Sequence, residues 1–362
     1  MAKRVSADKW LFTITLLLIF IGLVMIFSAS AVVAKENRGT EYYFVVRQLM
    51  WAVAGLGLMF GLMNLDYKLL KSPAVVFACY GMTSLMLIAV YAFPKSNGAH
   101  RWIRLGPLSF QPSELAKPAI ILFLAWYLES RTRTVNERNT LLTAAIPPLL
   151  FIALIAKQPD LGTALICCAI LAAVLMVAGM RAKFLGYAAL ASLPILYLMV
   201  FRTAWRMKRI LAFIDPYKDP QGSGFHMIQS LIAVGTGGLS GAGLMEGKQK
   251  LFYLPEPQTD FIFAVIAEEF GLIGGLTILI LFAILVWRGL RVAMRARDNH
   301  ARFLATGITT MLGVQAFFNI SVVLGVLPTK GIPLPLVSYG GSSVLVNLVC
   351  IGVLLNITQQ TD

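Results

Sequence analysis

The stretch Leu254-Pro-Glu-Pro-Gln-Thr-Asp260-Phe-Ile-Phe-Ala-Val-Ile-Ala-Glu268-Glu269 runs on into apolar sequence that meets no further charge before Arg288. The run 260–287 is long enough to cross a bilayer, which takes roughly 20 mostly apolar residues. It opens on acids. Each would cost on the order of 3 kcal/mol near the centre of a membrane, so such side chains turn toward protein or water and mark functional sites.

Composition agrees with a membrane protein. Of 362 residues, 58% are hydrophobic and 13% charged, and the mean hydropathy is +0.77. A soluble domain carries roughly twice that charge. Scanning for apolar runs gives about ten spans, at 10–33, 44–63, 73–93, 114–129, 141–157, 160–179, 184–201, 260–287, 303–326 and 341–357. The expected fold is all-α: a single polytopic transmembrane domain over 1–362 with about ten transmembrane helices. Lys3, Arg4 and Lys9 before the first span and Ala29-Ser30-Ala31 after it imitate a cleavable signal. The apolar run is longer than the roughly 7–15 residues of such a peptide, and it reads as a retained helix. Cys79, Cys167, Cys168 and Cys350 fall inside spans without CxxC spacing, so neither a disulfide framework nor a zinc site is expected.

Lys and Arg set the orientation. Short loops hold Lys68 and Lys71, then Arg131, Arg133 and Arg138, then Arg288, Arg291, Arg295, Arg297 and Arg302. Their density puts both termini inside by the positive-inside rule. The outer side is also basic, with Arg101, Arg104 and Lys117 near the 94–113 loop and Arg202, Arg206, Lys208 and Arg209 after span seven. Each alone reads as a snorkelling side chain; together they suit an anionic head group such as a diphosphate.

Segment 202–259 is the one long loop. Loops of that length are functional or disordered, and its aromatic residues Trp205, Phe213, Phe225, Phe252 and Tyr253 speak for structure. An amphipathic or short surface helix is expected near 227–234. The glycine-rich run 235–243 lacks GxGxxG spacing and a preceding strand, which leaves tight turns and close packing.

Asp260, Ala264, Glu268, Gly271 and Gly275 recur at helical spacing, predicting one acidic and small face. Thr259 reads as an N-cap with Asp260 in the first turn. On local sequence Asp260 is equally such a capping-turn acid, a general base, or a ligand for a divalent cation beside a diphosphate. In Gln111-Pro-Ser-Glu114-Leu-Ala-Lys117-Pro118, Ser113 reads as an N-cap and Glu114 and Lys117 stand at i, i+3, as an ion pair or as cavity lining. Trp102, within Gly98-Ala-His-Arg101-Trp102-Ile-Arg104-Leu-Gly106-Pro107, reads as an interfacial aromatic or a sugar-stacking face. Asp160 in Lys157-Gln-Pro-Asp160-Leu-Gly162 is a further acid, expected at the outer surface. Gln315 and Asn319 share a helix face at i, i+4. The segment Gly331-Ile-Pro-Leu-Pro335-Leu-Val-Ser338-Tyr-Gly-Gly-Ser342-Ser343 opens span ten with amides and hydroxyls that suit an anion or a cap. No P-loop, HExxH or GxSxG occurs.

Taken together, Gly98–Pro107, Gln111–Lys117, Gln158–Gly162, Leu254–Glu269 and Pro335–Ser343 resemble the SEDS family (shape, elongation, division and sporulation), polymerases of bacterial peptidoglycan. The resemblance covers nearly the whole chain. It implies ten helices and glycosyl transfer at the outer face of the cytoplasmic (inner) membrane, with lipid II as substrate. By the same resemblance Asp260 is the catalytic base, and Trp102, Glu114 and Lys117 line a central cavity. The substrate-binding set expected around them is Arg101, Asp160, Arg206, Arg209, Thr259, Ser338 and Ser343. A divalent cation, Mg or Mn, is the one cofactor considered, with Asp260 as its candidate ligand and no organic cofactor. Expected partners are a class B penicillin-binding protein transpeptidase and division regulatory proteins, with no nucleic acid. Arg104 after Arg-Trp-Ile and the wording Phe252–Thr259 favour the division branch, for septal wall synthesis. An elongation-type polymerase and a lipid II flippase are the alternatives.

Overall fold

The computed structural model describes residues 7–95, 98–106, 108–251 and 253–360. The chain runs α1 (Lys9–Arg38), α2 (Tyr43–Asn64), α3 (Pro73–Ala89), the hairpin β1 (Ile103–Leu105) and β2 (Leu108–Phe110), α4 (Pro112–Leu128), α5 (Arg138–Lys157), α6 (Leu161–Val177) and α7 (Ala182–Phe201). It continues with α8 (Ala204–Ile214), α9 (Phe225–Thr236), α10 (Ile262–Arg295), α11 (Asn299–Val323) and α12 (Gly341–Thr358). Each expected span has its helix. Eight are long and apolar enough to cross a membrane by length and composition. The other two, α4 and α6, have 17 residues each and reach about 25 Å. Both pack against α11 and each other, and a helix walled by protein need not match the lipid thickness.

Asp8 N–H donates to Thr358 Oγ1 at 3.1 Å, which puts both described chain ends on one face. On that face Arg288 pairs with Asp8, and Lys71 binds Glu129 (2.5 Å) and Asp298 (3.0 Å). The opposite face carries the hairpin, the 202–261 segment and the loop from α11 to α12. There α8 and α9 are the short helices of the long loop, where one was expected.

Helix α10 corrects the expected stripe. As one straight helix its 34 residues would extend about 51 Å, well past a hydrocarbon core of about 30 Å. Gly271 breaks it, with φ 62° and ψ −155°, so Asp260 to Gly275 do not share one helical face. The part before the break is walled in by protein: Ile262 to Glu269 are buried throughout.

Backbone groups freed by the break find partners in the glycine-rich loop. Ala242 and Gly243 N–H donate to the carbonyls of Glu268 and Glu269 (3.0 Å each), and Leu272 N–H donates to Gly238 O at 2.9 Å. Irregular backbone at membrane depth survives only with such compensation. The loop is glycine-rich for this reason: a Cβ on Gly241 would overlap the Glu269 carbonyl. A Cβ on Gly271 would lie 2.6 Å from Leu239 O, in a conformation nearly reserved for glycine and costing other residues about 1–3 kcal/mol. Gly271→Ala is therefore expected to lower the melting temperature of the purified protein by several degrees, read by thermal unfolding in detergent.

Candidate active site

Where the loops of the second face converge, a cavity of about 430 Å³ opens, lined by Trp205, Lys208, Arg209, His226, Glu256, Asp260, Phe261, Thr329, Lys330 and Gly331 among others. Asp260 is half-buried in its wall, and among the described residues its carboxylate has no hydrogen bond or ion pair. Gly331 makes room for it, since a Cβ there would sit 2.7 Å from Asp260 Oδ2.

The expected capping role of Thr259 and Asp260 is not what the structure has. Helix α10 starts at Ile262 with Phe261 at the cap position, and its first helical bond is Val265 N–H to Phe261 O. The two preceding carbonyls are taken by side chains instead. Ser338 Oγ donates to Thr259 O at 2.6 Å, and Asn319 Nδ2 donates to Asp260 O at 2.8 Å and Ile332 O at 2.7 Å. Tyr339 N–H donates to Gln258 O at 2.8 Å. These bonds strap the Asp260 turn to the 329–340 loop and leave its carboxylate free. Glu256 and Leu336, one in each loop, hold left-handed φ values of 50° and 65°, strain that a surrounding network must maintain.

Glu114 and Lys117 form a pair at 2.9 Å, and Lys117 Nζ also donates to Gln315 Oε1 at 2.9 Å. Gln315 Nε2 in turn donates to Pro333 O at 3.0 Å. Lys117 is wholly buried and Glu114 is 3% exposed, so the pair braces the 329–340 loop from beneath and is absent from the cavity wall. Ser113 does not cap α4; Gln111 holds that position, and Pro112 occupies the first turn. Asp160 is buried and caps α6, accepting from Thr163 N (3.2 Å), Thr163 Oγ1 (2.9 Å) and Gln111 Nε2 (3.2 Å). Arg101 donates to the carbonyls of Gln158 (3.1 Å) and Pro159 (2.6 Å). Ser343 accepts from Asn347, and Trp102 is half-buried outside the cavity lining.

The charge at the cavity comes from helix α8 and the 329–331 turn. Arg206 and Arg209 lie over the Trp205 ring at 5.0 and 5.1 Å, and Trp205, Lys208 and Arg209 of α8 line the cavity. Arg101, Arg206 and Arg209 all bear on Lys330. Burial, and after it the repulsion of these arginines against the pull of Asp160, brings the Lys330 ammonium down to about 8. Asp260 moves the other way. Burial and then Glu256 push it up to about 7, against the pull of Arg209 and Arg101.

Of the expected residues, the structure gathers Asp260, Arg209, Arg206 and Arg101 in one electrostatic environment. Lys330, Glu256 and His226 were not singled out from sequence. Lys330 stands one position before the Gly331–Ser343 run, and that adjacency was its only signal. Among the described residues no group of three or more His, Cys, Asp or Glu side chains converges as for a metal. Asp219, Glu256 and Asp260 are the carboxylates at the cavity; Asp219 accepts from Ser223 N–H and Oγ, which leaves Glu256 and Asp260 as the candidate ligands. That set fits Mg²⁺ only in its common mode of one or two carboxylates completed by substrate phosphates.

The fold and this site define a multi-pass helical membrane protein with a basic cavity at one face that holds the Asp260 carboxyl. The family profile described as cell cycle protein, covering FtsW, RodA and SpoVE, matches residues 8–362; the chain belongs to this family, the SEDS proteins. It is similar to stage V sporulation protein E of Bacillus subtilis strain 168, with 43% identity over 99% of both chains. It is likewise similar to the probable peptidoglycan glycosyltransferase FtsW of Geobacter sp. strain M18, 43% identical over 99% of this chain and 98% of the relative. Among solved structures, a chain from a peptidoglycan synthase complex that coordinates polymerization and crosslinking superposes with TM-score 0.81 at 32% identity, over 99% of each chain. The rod shape determining protein RodA of Thermus thermophilus gives 0.74 at 28% identity, over 99% of each.

Proposed function

We propose that this chain is a peptidoglycan glycosyltransferase of the division branch, polymerising lipid II at the outer face of the cytoplasmic (inner) membrane. One observation carries the proposal: the Asp260 carboxyl, without a hydrogen-bond or ion-pair partner among the described residues, faces a cavity walled by Arg209, Lys208 and Lys330. An acid with open lone pairs beside cations suits a reaction that must accept one proton and expel an anionic leaving group. The names of the FtsW relatives support the reaction class. The cavity is assigned to the outside because the opposite face holds both described chain ends and the dense short-loop Lys and Arg.

In this reading Asp260 takes the proton of the 4-hydroxyl on the acceptor's N-acetylglucosamine. That oxygen forms a bond to the anomeric carbon of the donor's N-acetylmuramic acid, and the bond to undecaprenyl diphosphate breaks. Arg209, Lys330, Arg206 and Arg101 offset the charge on the departing diphosphate. A divalent cation, if bound by Glu256 and Asp260 with the diphosphate, would supply further charge neutralisation. The likeness to a chain of a peptidoglycan synthase complex favours a class B penicillin-binding protein as transpeptidase partner, with division proteins regulating the pair.

The test is purified protein with its cognate partner, supplied with lipid II and resolved for glycan strands. Polymer is the expected result. Movement of lipid II between leaflets without polymer would favour the flippase reading. Restoration of rod shape without restoration of septation, in cells lacking the corresponding protein, would move the chain to the elongation branch.

A further inference from the structure

Lys250 and Glu269 stand on either side of the segment that carries Asp260. Lys250 Nζ donates to Glu269 Oε1 at 2.6 Å and to Ser28 Oγ of α1 at 2.8 Å. Ser28 Oγ donates to the two oxygens of Glu269 at 2.6 and 2.8 Å. The Lys250 side chain is 4% exposed and that of Glu269 is fully buried. One residue earlier, Glu268 Oε1 accepts from Lys248 N–H at 2.7 Å and Gln249 N–H at 3.0 Å, and Leu254 N–H donates to Gln249 O at 2.8 Å. The two ends of the 250–269 segment are thus fastened together, and the knot is fastened to α1.

Stability alone is a weak reason for such a knot, because the cost of desolvating two charges offsets most of their attraction. Geometry is a better one. The knot lies at the base of the loop, just before the Gly271 break, and adds a side-chain anchor to the backbone bonds that Ala242 and Gly243 make there. Asn319 and Ser338 hold the far end at Asp260 and Thr259, but both belong to the 319–338 side. The knot fixes the loop relative to α1.

We propose that Lys250, Glu269 and Ser28 are a positioning unit that sets where the Asp260 carboxylate stands in the cavity. The proposal rests on the glycosyltransferase reading above for its consequence in turnover. In the full chain with its transpeptidase partner, Lys250→Met should lower kcat on lipid II by about 100-fold while KM moves little, the order of loss that a misplacement of about 1 Å produces. Lys250→Met/Glu269→Met removes both charges at similar volume and should recover thermal stability relative to the single variant. It should still turn over slowly, because two thioethers impose no direction. Hydrogen–deuterium exchange of residues 251–261 should rise in both variants, a readout independent of polymerisation. Parental turnover in the double variant, or unchanged exchange in that segment, overturns the proposal. Raised exchange in the variants of a parent that makes no glycan would uphold the positioning and remove the glycosyltransferase reading instead.

Discussion

Asp260→Asn is expected to lower the rate of glycan polymerisation by about 100- to 10,000-fold, the range that a positioned general base contributes. The substitution is nearly isosteric and should leave the fold intact. Asn319 and Ser338 hold backbone carbonyls at 260 and 259, which an amide side chain does not disturb, and the carboxylate itself has no partner to lose among the described residues. The amide also relieves the cost of enclosing an acid, so the melting temperature should equal or exceed that of the parent. Binding of lipid II to the basic wall should persist, because Arg209 and Lys330 are untouched. The measurement is strand formation from lipid II with the partner present, alongside thermal unfolding. A well-folded variant that keeps more than about a tenth of parental turnover would remove Asp260 from the role of base.

The route to that residue shows which physics a sequence displays. Apolar runs report the spans well, because a bilayer demands length and polarity from each segment separately. Every expected span, including α4 and α6, has a helix that starts within four residues of it, though α1 and α10 run five and eight residues past the expected ends. Glu114 and Lys117 were legible as a pair because i, i+3 spacing is local. The break at Gly271 was not legible. A glycine inside an apolar run is compatible with a continuous helix, and here the break depends on amides and carbonyls supplied by residues 238–243. The same limit hid the true roles of Ser338 and Asn319. Their partners are carbonyls of Thr259 and Asp260, 79 and 59 positions away, and nothing in either neighbourhood announces that contact. The hairpin at 103–110 was likewise read only as a turn-rich basic loop.

Asp160 teaches the converse. Its sequence setting, an acid after Lys-Gln-Pro at the border of two spans, looked like Asp260's. Yet its oxygens are engaged by Thr163 and Gln111, whereas those of Asp260 face the cavity. Two acids of similar local sequence thus differ in what the rest of the chain leaves open around them. Electrostatics keeps a trace of Asp160 in the site, since it acts on both Asp260 and Lys330.

Lys330 carries the second large expectation. Its ammonium, brought down to about 8, and the Asp260 carboxyl, pushed up to about 7, set the two sides of a pH profile. A base must be ionised to accept a proton, so kcat/KM should climb as pH rises through about 7 and Asp260 ionises; an ordinary aspartate, at 3.8, would be ionised throughout. A cation that receives the diphosphate must be protonated, so kcat/KM should fall as pH passes about 8 and Lys330 loses its charge. The profile is a narrow bell between those values, reporting groups of the free enzyme. Lys330→Met should cost about 100-fold or more at the optimum, the scale of removing one preorganised contact to a developing negative charge. It should also abolish the alkaline limb while leaving the acid limb near 7. Retention of the alkaline limb in Lys330→Met would assign that limb to another group. A parental rate flat from pH 5 to 9 would remove both assignments, because neither titration would then touch the rate-limiting step.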